Sequence, residues 1–125
     1  MKAVVLFAHG SRDPLWHKPI NAVAQRIETA HPDVAVRCAY LELTEPSLMQ
    51  VATELQLLGC TEITITPLFL GVGKHAREDL PVLITELKTT YPSLSIRCAP
   101  SVGEDERVLD TLAYVAMHPS TNPYA

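Results

Sequence analysis

Apolar and polar positions follow two periods along this chain, and each switch between them marks a change from strand to helix. KAVVLFA, residues 2–8, is a nearly unbroken apolar run with β-branched members, as in a strand covered on both faces. After it Ile20, Val23, Ala24 and Ile27 recur at i, i+3, i+4 and i+7, the stripe of a helix lying on a sheet. Residues 34–41 read as a second strand. Leu48, Val51, Ala52 and Leu55 make a second helical stripe, ended by Gly59 just past the cap. A third strand covers 62–68, with Pro67 at its exit because a proline inside the strand removes a ladder bond. There follow a loop, GVGKHAREDLP at 71–81, a third helix with Leu80, Leu83, Ile84 and Leu87, and a fourth strand around 94–99. A last helix carries Val108, Leu112 and Val115. This alternation predicts an α/β fold, a four-stranded parallel sheet with helices on both faces. The chain reads as one domain over residues 1–117, with a tail at 118–125, holding Pro119 and Pro123, that is expected to fray.

A repeat supports this order. HPDVAVRCA at 31–39 and YPSLSIRCA at 91–99 lie sixty residues apart and share Pro, Arg, Cys and Ala at matching positions. The preceding helices match at the same offset, Ile20, Val23 and Ile27 against Leu80, Leu83 and Leu87. Two related βαβ halves follow, each opening with a strand and then a histidine loop, the offset failing at the longer loop that carries His75. Arg37 and Arg97 hold equivalent places in strands two and four, and a charge inside a strand is best tolerated at a sheet edge. Strands one and three are then central, and the order is 2-1-3-4. In such a sheet the connections after strands one and three leave toward opposite faces and open a crevice at the strands' carboxyl ends. His9, in AHGSRDP at 8–14, and His75 border it, and Glu42 lies beside them at the end of strand two.

Composition narrows the partners. At 125 residues, 47% apolar and 19% charged, the chain has the size and make-up of one folded domain. Ten Lys and Arg against fourteen Asp and Glu give a net charge of −4, which argues against a nucleic-acid partner, so any anion site is local. The start of the chain turns polar at His9 and is expected to be a strand, not a secretory leader. No apolar run approaches the roughly 18 residues of a membrane span. Cys38, Cys60 and Cys98 are odd in number and lack C-x-x-C spacing, as expected of reduced, inert thiols in a cytoplasmic protein.

Two imidazoles and a carboxylate at one crevice suit a divalent transition metal that keeps open coordination positions. Three ligands rather than a closed four fit an ion that exchanges water for substrate atoms and then departs. Either histidine can instead serve as a base, and the plainer alternative makes each a hydrogen-bonding loop residue. Arg12 and Lys18 after strand one, and Lys74 and Arg77 after strand three, are ordinary solvated charges or anchors for a substrate with several carboxylates; two helix N-termini nearby favour anions as well. Glu45 precedes Pro46, read as an early helical residue, so its carboxylate is assigned to the helix start, whereas Glu42 has no such task. His31 and His118 read as incidental, while His17 lies close to Arg12 with its role open.

At AHGSRDP, YLELTEPSL and PLFLGVGKHAREDLP, in that order from the start to about residue 100, the chain resembles the small, single-domain sirohydrochlorin cobaltochelatase family of type II tetrapyrrole chelatases. The resemblance implies a lyase that inserts a divalent metal, cobalt first with nickel or iron as options, into sirohydrochlorin, without ATP or any organic cofactor. It places the family's metal-site histidines on His9 and His75 and its motif glutamate on Glu42. It also implies a homodimer that stands in for the two-lobed fold of longer relatives. LWHKP departs from the resemblance, putting Trp16 and His17 where the family is more polar. No histidine-rich metal store is present.

Three other readings compete. A phosphohistidine enzyme also uses a histidine and glycine after a first strand, but wants arginine where Ala8 stands. A non-catalytic metal or tetrapyrrole carrier would use the same ligands without turnover. A regulatory α/β domain would leave the histidines structural.

Overall fold

In a computed structural model, which describes residues 1–121, four parallel strands form one sheet in the order β2-β1-β3-β4 among the described residues. They are β1 (Lys2–Ala8), β2 (Ala35–Tyr40), β3 (Glu62–Pro67) and β4 (Ser95–Cys98), each within about one residue of its expected span. The helices are α1 (Lys18–Ala30), α2 (Leu48–Leu57), α3 (Lys74–Thr90) and α4 (Glu106–Met117), with short 3₁₀ turns at Pro14–His17 and Val102–Glu104. β1 pairs with β2 on one side (Leu6 opposite Cys38) and with β3 on the other (Leu6 opposite Thr66). The two arginines lie in the edge strands, as the repeat requires. Arg37 is neutralised by an ion pair with Glu54 of α2.

Alternation along β1 sorts the core into two layers. Ala3, Val5 and Phe7 join Val51, Leu55, Ile65 and Leu87, so α2 and α3 cover that face. Leu6 and Ala8 join Ile20 and Tyr40, with Ala24 and Ile27 of α1 packed on them. Val23, at the margin of the α1 stripe, stays 41% exposed. α2 ends as Gly59 predicts: its φ is +87°, its N–H donates to the Gln56 carbonyl, and Cys60 N–H donates to Leu55, a paired Schellman closure. Pro46 is not helical, however. Ser47 caps α2 in a reciprocal box with Gln50, and Glu45 stands at the helix start, accepting a 3.4 Å bond from the Gln50 side-chain amide in the first turn.

Two further expectations change. The third helix begins at Lys74, not after the loop, so His75 and Arg77 are helical; Pro81 sits inside α3, and the missing N–H costs one bond without ending the helix. The sixty-residue offset therefore does not fail, because Lys74 matches Pro14, where the 3₁₀ turn leading into α1 starts. The final helix forms, but its stripe is not buried: Leu112 is 44% and Val115 55% exposed, and the principal contact of α4 is the turn at Val102–Glu104. Residues 122–125 of the expected tail lie outside the described residues, while His118 N–H donates to the Tyr114 carbonyl at 2.9 Å.

The carboxyl edge is knitted together by backbone contacts between loops. Leu41 N–H donates to Ala8 (2.8 Å), Leu68 N–H to Phe7 (2.7 Å) and Gly103 N–H to Phe69 (3.0 Å). Thr44 N–H reaches the Glu42 carbonyl at 2.8 Å across Leu43, whose φ of +66° is uncommon for a branched side chain. That turn points the Glu42 carbonyl at Gly10, where a Cβ would lie 1.4 Å from the oxygen. Gly10→Ala is therefore expected to force the two loops apart and lower the unfolding free energy by about 2 kcal/mol. Gly71→Ala, with nothing within 4 Å of its would-be Cβ, should change it by less than about 0.5 kcal/mol. Urea denaturation of the pair checks both values.

A second test concerns α4. Asp105 caps it by accepting from Arg107 N–H at 2.8 Å, and side-chain bonds from Arg107, foremost, hold the Asp105 carboxyl down at about 2. A depressed carboxyl stabilises its helix above the ordinary aspartate range and loses that contribution as pH falls through about 2. Backbone chemical shifts of α4 should therefore hold at pH 4 and move toward coil near pH 2, and Asp105→Ala should show the frayed shifts already at pH 7.

Candidate functional site

His9 is the first residue beyond β1, and the exposed face of its ring is free while the other rests on buried Phe69, with ring centroids 4.7 Å apart. Phe69 in turn meets Phe7 edge-on at 6.0 Å, so the imidazole stands on a post rooted in the core. His75 is the second residue of α3, with its side chain 96% exposed. Its Nδ1 lies 3.9 Å from Asp79 one turn later, an arrangement that leaves Nε2 turned outward. Glu42 is exposed on the turn after β2 and reaches the β1 loop through the contact of its carbonyl with Gly10. Since β1 lies between β2 and β3, all three residues issue from the carboxyl edge of neighbouring strands.

They are not drawn into a closed set. Among the described residues no three His, Cys, Asp or Glu side chains stand close enough to hold a metal ion. The two histidines are also not equivalent in the repeat. At the sixty-residue offset His9 matches Phe69, and His75 matches Leu15. The halves exchange roles: one supplies an imidazole at the strand exit, the other at the helix start.

Four cations lie on the connections and helix starts that carry the two histidines. Arg12, Lys18 and Lys74 are exposed, with Lys74 4.0 Å from Glu78; Arg77 turns back to donate to the Val72 carbonyl at 2.9 Å, which ties the loop before α3. Neither α1 nor α3 carries an acidic residue in its first turn or a side-chain cap, but only α3 leaves its first N–H groups to an anion, because Lys18 N–H donates to the Leu15 carbonyl and Pro19 has none. His17 is occupied: its Nε2 donates to the Ser11 carbonyl at 3.0 Å, and its ring meets Tyr40 edge-on at 4.9 Å. The thiols take no part. Burial pushes Cys38 and Cys98 up, away from the thiolate, and Cys60 is buried.

Two supporting residues escaped the reading of the sequence. Phe69 looks like any apolar strand residue, and only the fold reveals it beneath His9. Asp79 had a legible signal, its i, i+4 spacing from His75 in HARED.

Comparisons with known proteins bear on the family and the fold. Over 81 residues the chain is 31% identical to the sirohydrochlorin cobaltochelatase of Methanococcoides burtonii, a match that takes in 65% of this chain and 62% of that protein, so the chain spans less than two thirds of that relative. The crystal structure of a cobalamin biosynthesis CbiX protein from Marinobacter aquaeolei superposes with a TM-score of 0.82 at 30% identity, over 94% of this chain and 95% of that one. The sirohydrochlorin chelatase SirB of Bacillus subtilis, solved with cobalt, superposes with a TM-score of 0.75 at 28% identity, and here 93% of this chain covers 50% of the longer one. The CbiX family model matches residues 3–117, nearly the whole length, and the chain belongs to that family.

Proposed function

We propose that this protein inserts a divalent metal ion into sirohydrochlorin or a related polycarboxylated tetrapyrrole, with no nucleotide and no organic cofactor. The observation that carries this reading is the presentation of two imidazoles, His9 and His75, outward from the exits of adjacent central strands. The named activity of the Methanococcoides relative and the cobalt bound by SirB support it. Cobalt is the first choice of substrate metal, with nickel and iron(II) next, because nitrogen and carboxylate ligands accept all three.

Metal insertion needs three things: loss of water from the ion, removal of two protons from pyrrole N–H groups, and a pathway of ligands that release the ion. His9 and His75 hold the ion while its remaining positions pass from water to the macrocycle nitrogens, and as the nitrogens take over, the freed imidazoles accept the protons. An open pair serves this better than a closed cage, since a four-ligand site retains its metal. Glu42, on the turn whose carbonyl meets Gly10, tunes the charge or joins the ligands when the loops adjust. Arg12, Lys18, Lys74 and the α3 N-terminus, with Arg77 steadying the loop, anchor substrate carboxylates.

The working form is a homodimer in the cytoplasm. This chain matches half of SirB, and a single crevice encloses a large macrocycle poorly. The uncovered stripe of α4, with Leu109, Leu112 and Val115 between 41% and 55% exposed, offers an apolar surface for a second copy.

Multiple-turnover assays follow the visible spectrum of sirohydrochlorin with each metal. His9→Ala and His75→Ala are each expected to lower the rate about a hundredfold. A carrier would instead stop at one product per site, and an unchanged His75→Ala rate would remove that residue from the reaction. For assembly, mass by light scattering should be twice that of the chain, and Leu112→Lys should shift it to monomer.

A further inference from the structure

Beside His9 lies a hollow of about 320 Å³, bordered by Ala8, His9, Leu15, Trp16, Pro19, Ile20 and Leu68. It opens where the β1 and β3 exits diverge, on the α1 side of the sheet, and apart from His9 every bordering side chain is apolar. Leu15 is 67% and Trp16 39% exposed, although buried Ala8 and Ile20 are next to them. Two large apolar side chains held toward water beside an outward-facing imidazole leave apolar area uncovered in the free protein, which a ligand can bury.

The mounting of these side chains is rigid. Asp13 accepts from Leu15 N–H at 3.0 Å, its own N–H donates to Ser11 Oγ at 3.1 Å, and Trp16 N–H donates to the Asp13 carbonyl at 3.0 Å. His17 closes the turn on Ser11, and the indole leans on Tyr40 and on the His17 ring, with centroids 6.5 Å and 5.5 Å away. An indole fixed in this way loses little conformational freedom when a flat molecule lies against it. Arg12 and Lys18 flank Leu15 and Trp16 along the same connection, and both are exposed. An apolar floor with a cationic margin complements a flat, conjugated ring system whose charges are all at its periphery. The repeat points the same way: Leu15 occupies the place that His75 holds in the other half, so this half gives that position to apolar contact while the other gives it to the ion.

We propose that this hollow is a binding subsite for the apolar face of the tetrapyrrole, with the Trp16 indole as its stacking wall, so that Trp16 sets affinity for the macrocycle and not for the metal. The proposal rests on the tetrapyrrole reading above. A volume of about 320 Å³ admits part of the macrocycle and leaves the rest beyond the hollow, consistent with completion by other surfaces. Trp16 is a positioning residue: it brings the ring nitrogens to His9 and touches neither ion nor proton in transit.

The test is equilibrium binding of metal-free sirohydrochlorin to the full chain, followed by the pigment's own absorption, for wild type, Trp16→Ala and Trp16→Phe. Removing the indole should weaken binding about tenfold, and phenylalanine should restore it to within about threefold of wild type. In turnover the KM for the tetrapyrrole should rise in parallel in Trp16→Ala while the KM for the metal stays at the wild-type value. Circular dichroism establishes that each variant is folded. Trp16→Ala binding within about twofold of wild type, with turnover intact, overturns the subsite and leaves the chelatase reading standing. A raised metal KM with unchanged tetrapyrrole binding overturns it as well. Failure of the wild type to bind sirohydrochlorin at all overturns both.

Discussion

Hydrogen bonding of β1 on both sides, to β2 and to β3 in the same direction, is the constraint on which the remaining geometry depends. Parallel pairing forces each connection to cross the sheet, and a central strand joined to both neighbours brings three exits to one edge. Because α1 returns on one face and α3 on the other, the β1 and β3 exits part and leave a crevice between them. The apolar run of KAVVLFA makes this arrangement stable, since Ala3, Val5 and Phe7 enter one layer while Leu6 and Ala8 enter the other. A polar residue in that run would expose β1 on one face and remove the support for both loops.

The same edge shows how a rigid frame carries reactive groups that stay open. Backbone contacts between loops, with Gly10 against Glu42 and Gly103 against Leu70, leave no room for a side chain, so the frame is fixed by close approach of main chains. On that frame His9 rests on Phe69 and His75 on the first turn of α3, both turned outward. Chemistry in which an ion arrives hydrated and leaves inside another molecule benefits from ligands that are held in direction but not satisfied by one another. In the proposed reaction the apolar hollow at Trp16 extends the division of labour, with ion and ring system meeting separate surfaces of one crevice.

α4 belongs to a different level of organisation. Its sequence stripe is as regular as that of α1, and its cap at Asp105 is well made, yet none of its residues is fully buried. Periodicity reports that a helix has an apolar side and is silent on which molecule covers it. A helix of 12 residues is marginal in water when alone, so its exposed stripe is a reason to look beyond one chain for the complete unit.

How much of this was legible varies with the range of the interactions involved. Strand spans, the Gly59 closure and the exit position of Pro67 are local consequences of side-chain pattern, turn chemistry and the missing proline N–H. Even the strand order was readable, since Arg37 and Arg97 mark the edges through the repeat. The start of α3 was not, because Pro81 and the glycines of GVGKHAREDLP read as a loop whereas packing of Ala76 and Leu87 draws the helix back to Lys74. His9, His75 and Glu42 were nameable as a group from chain order alone. That Phe69 lies beneath His9, that Asp79 neighbours His75, that His17 is spent on Ser11 and that Trp16 borders a hollow depend on contacts between segments far apart or on the direction a side chain takes. Residue type and spacing thus determined the α/β frame and the chemical inventory of its edge. Only the tertiary structure decided which rings face solvent and which are held, because direction is settled by packing against residues that sequence distance does not reveal.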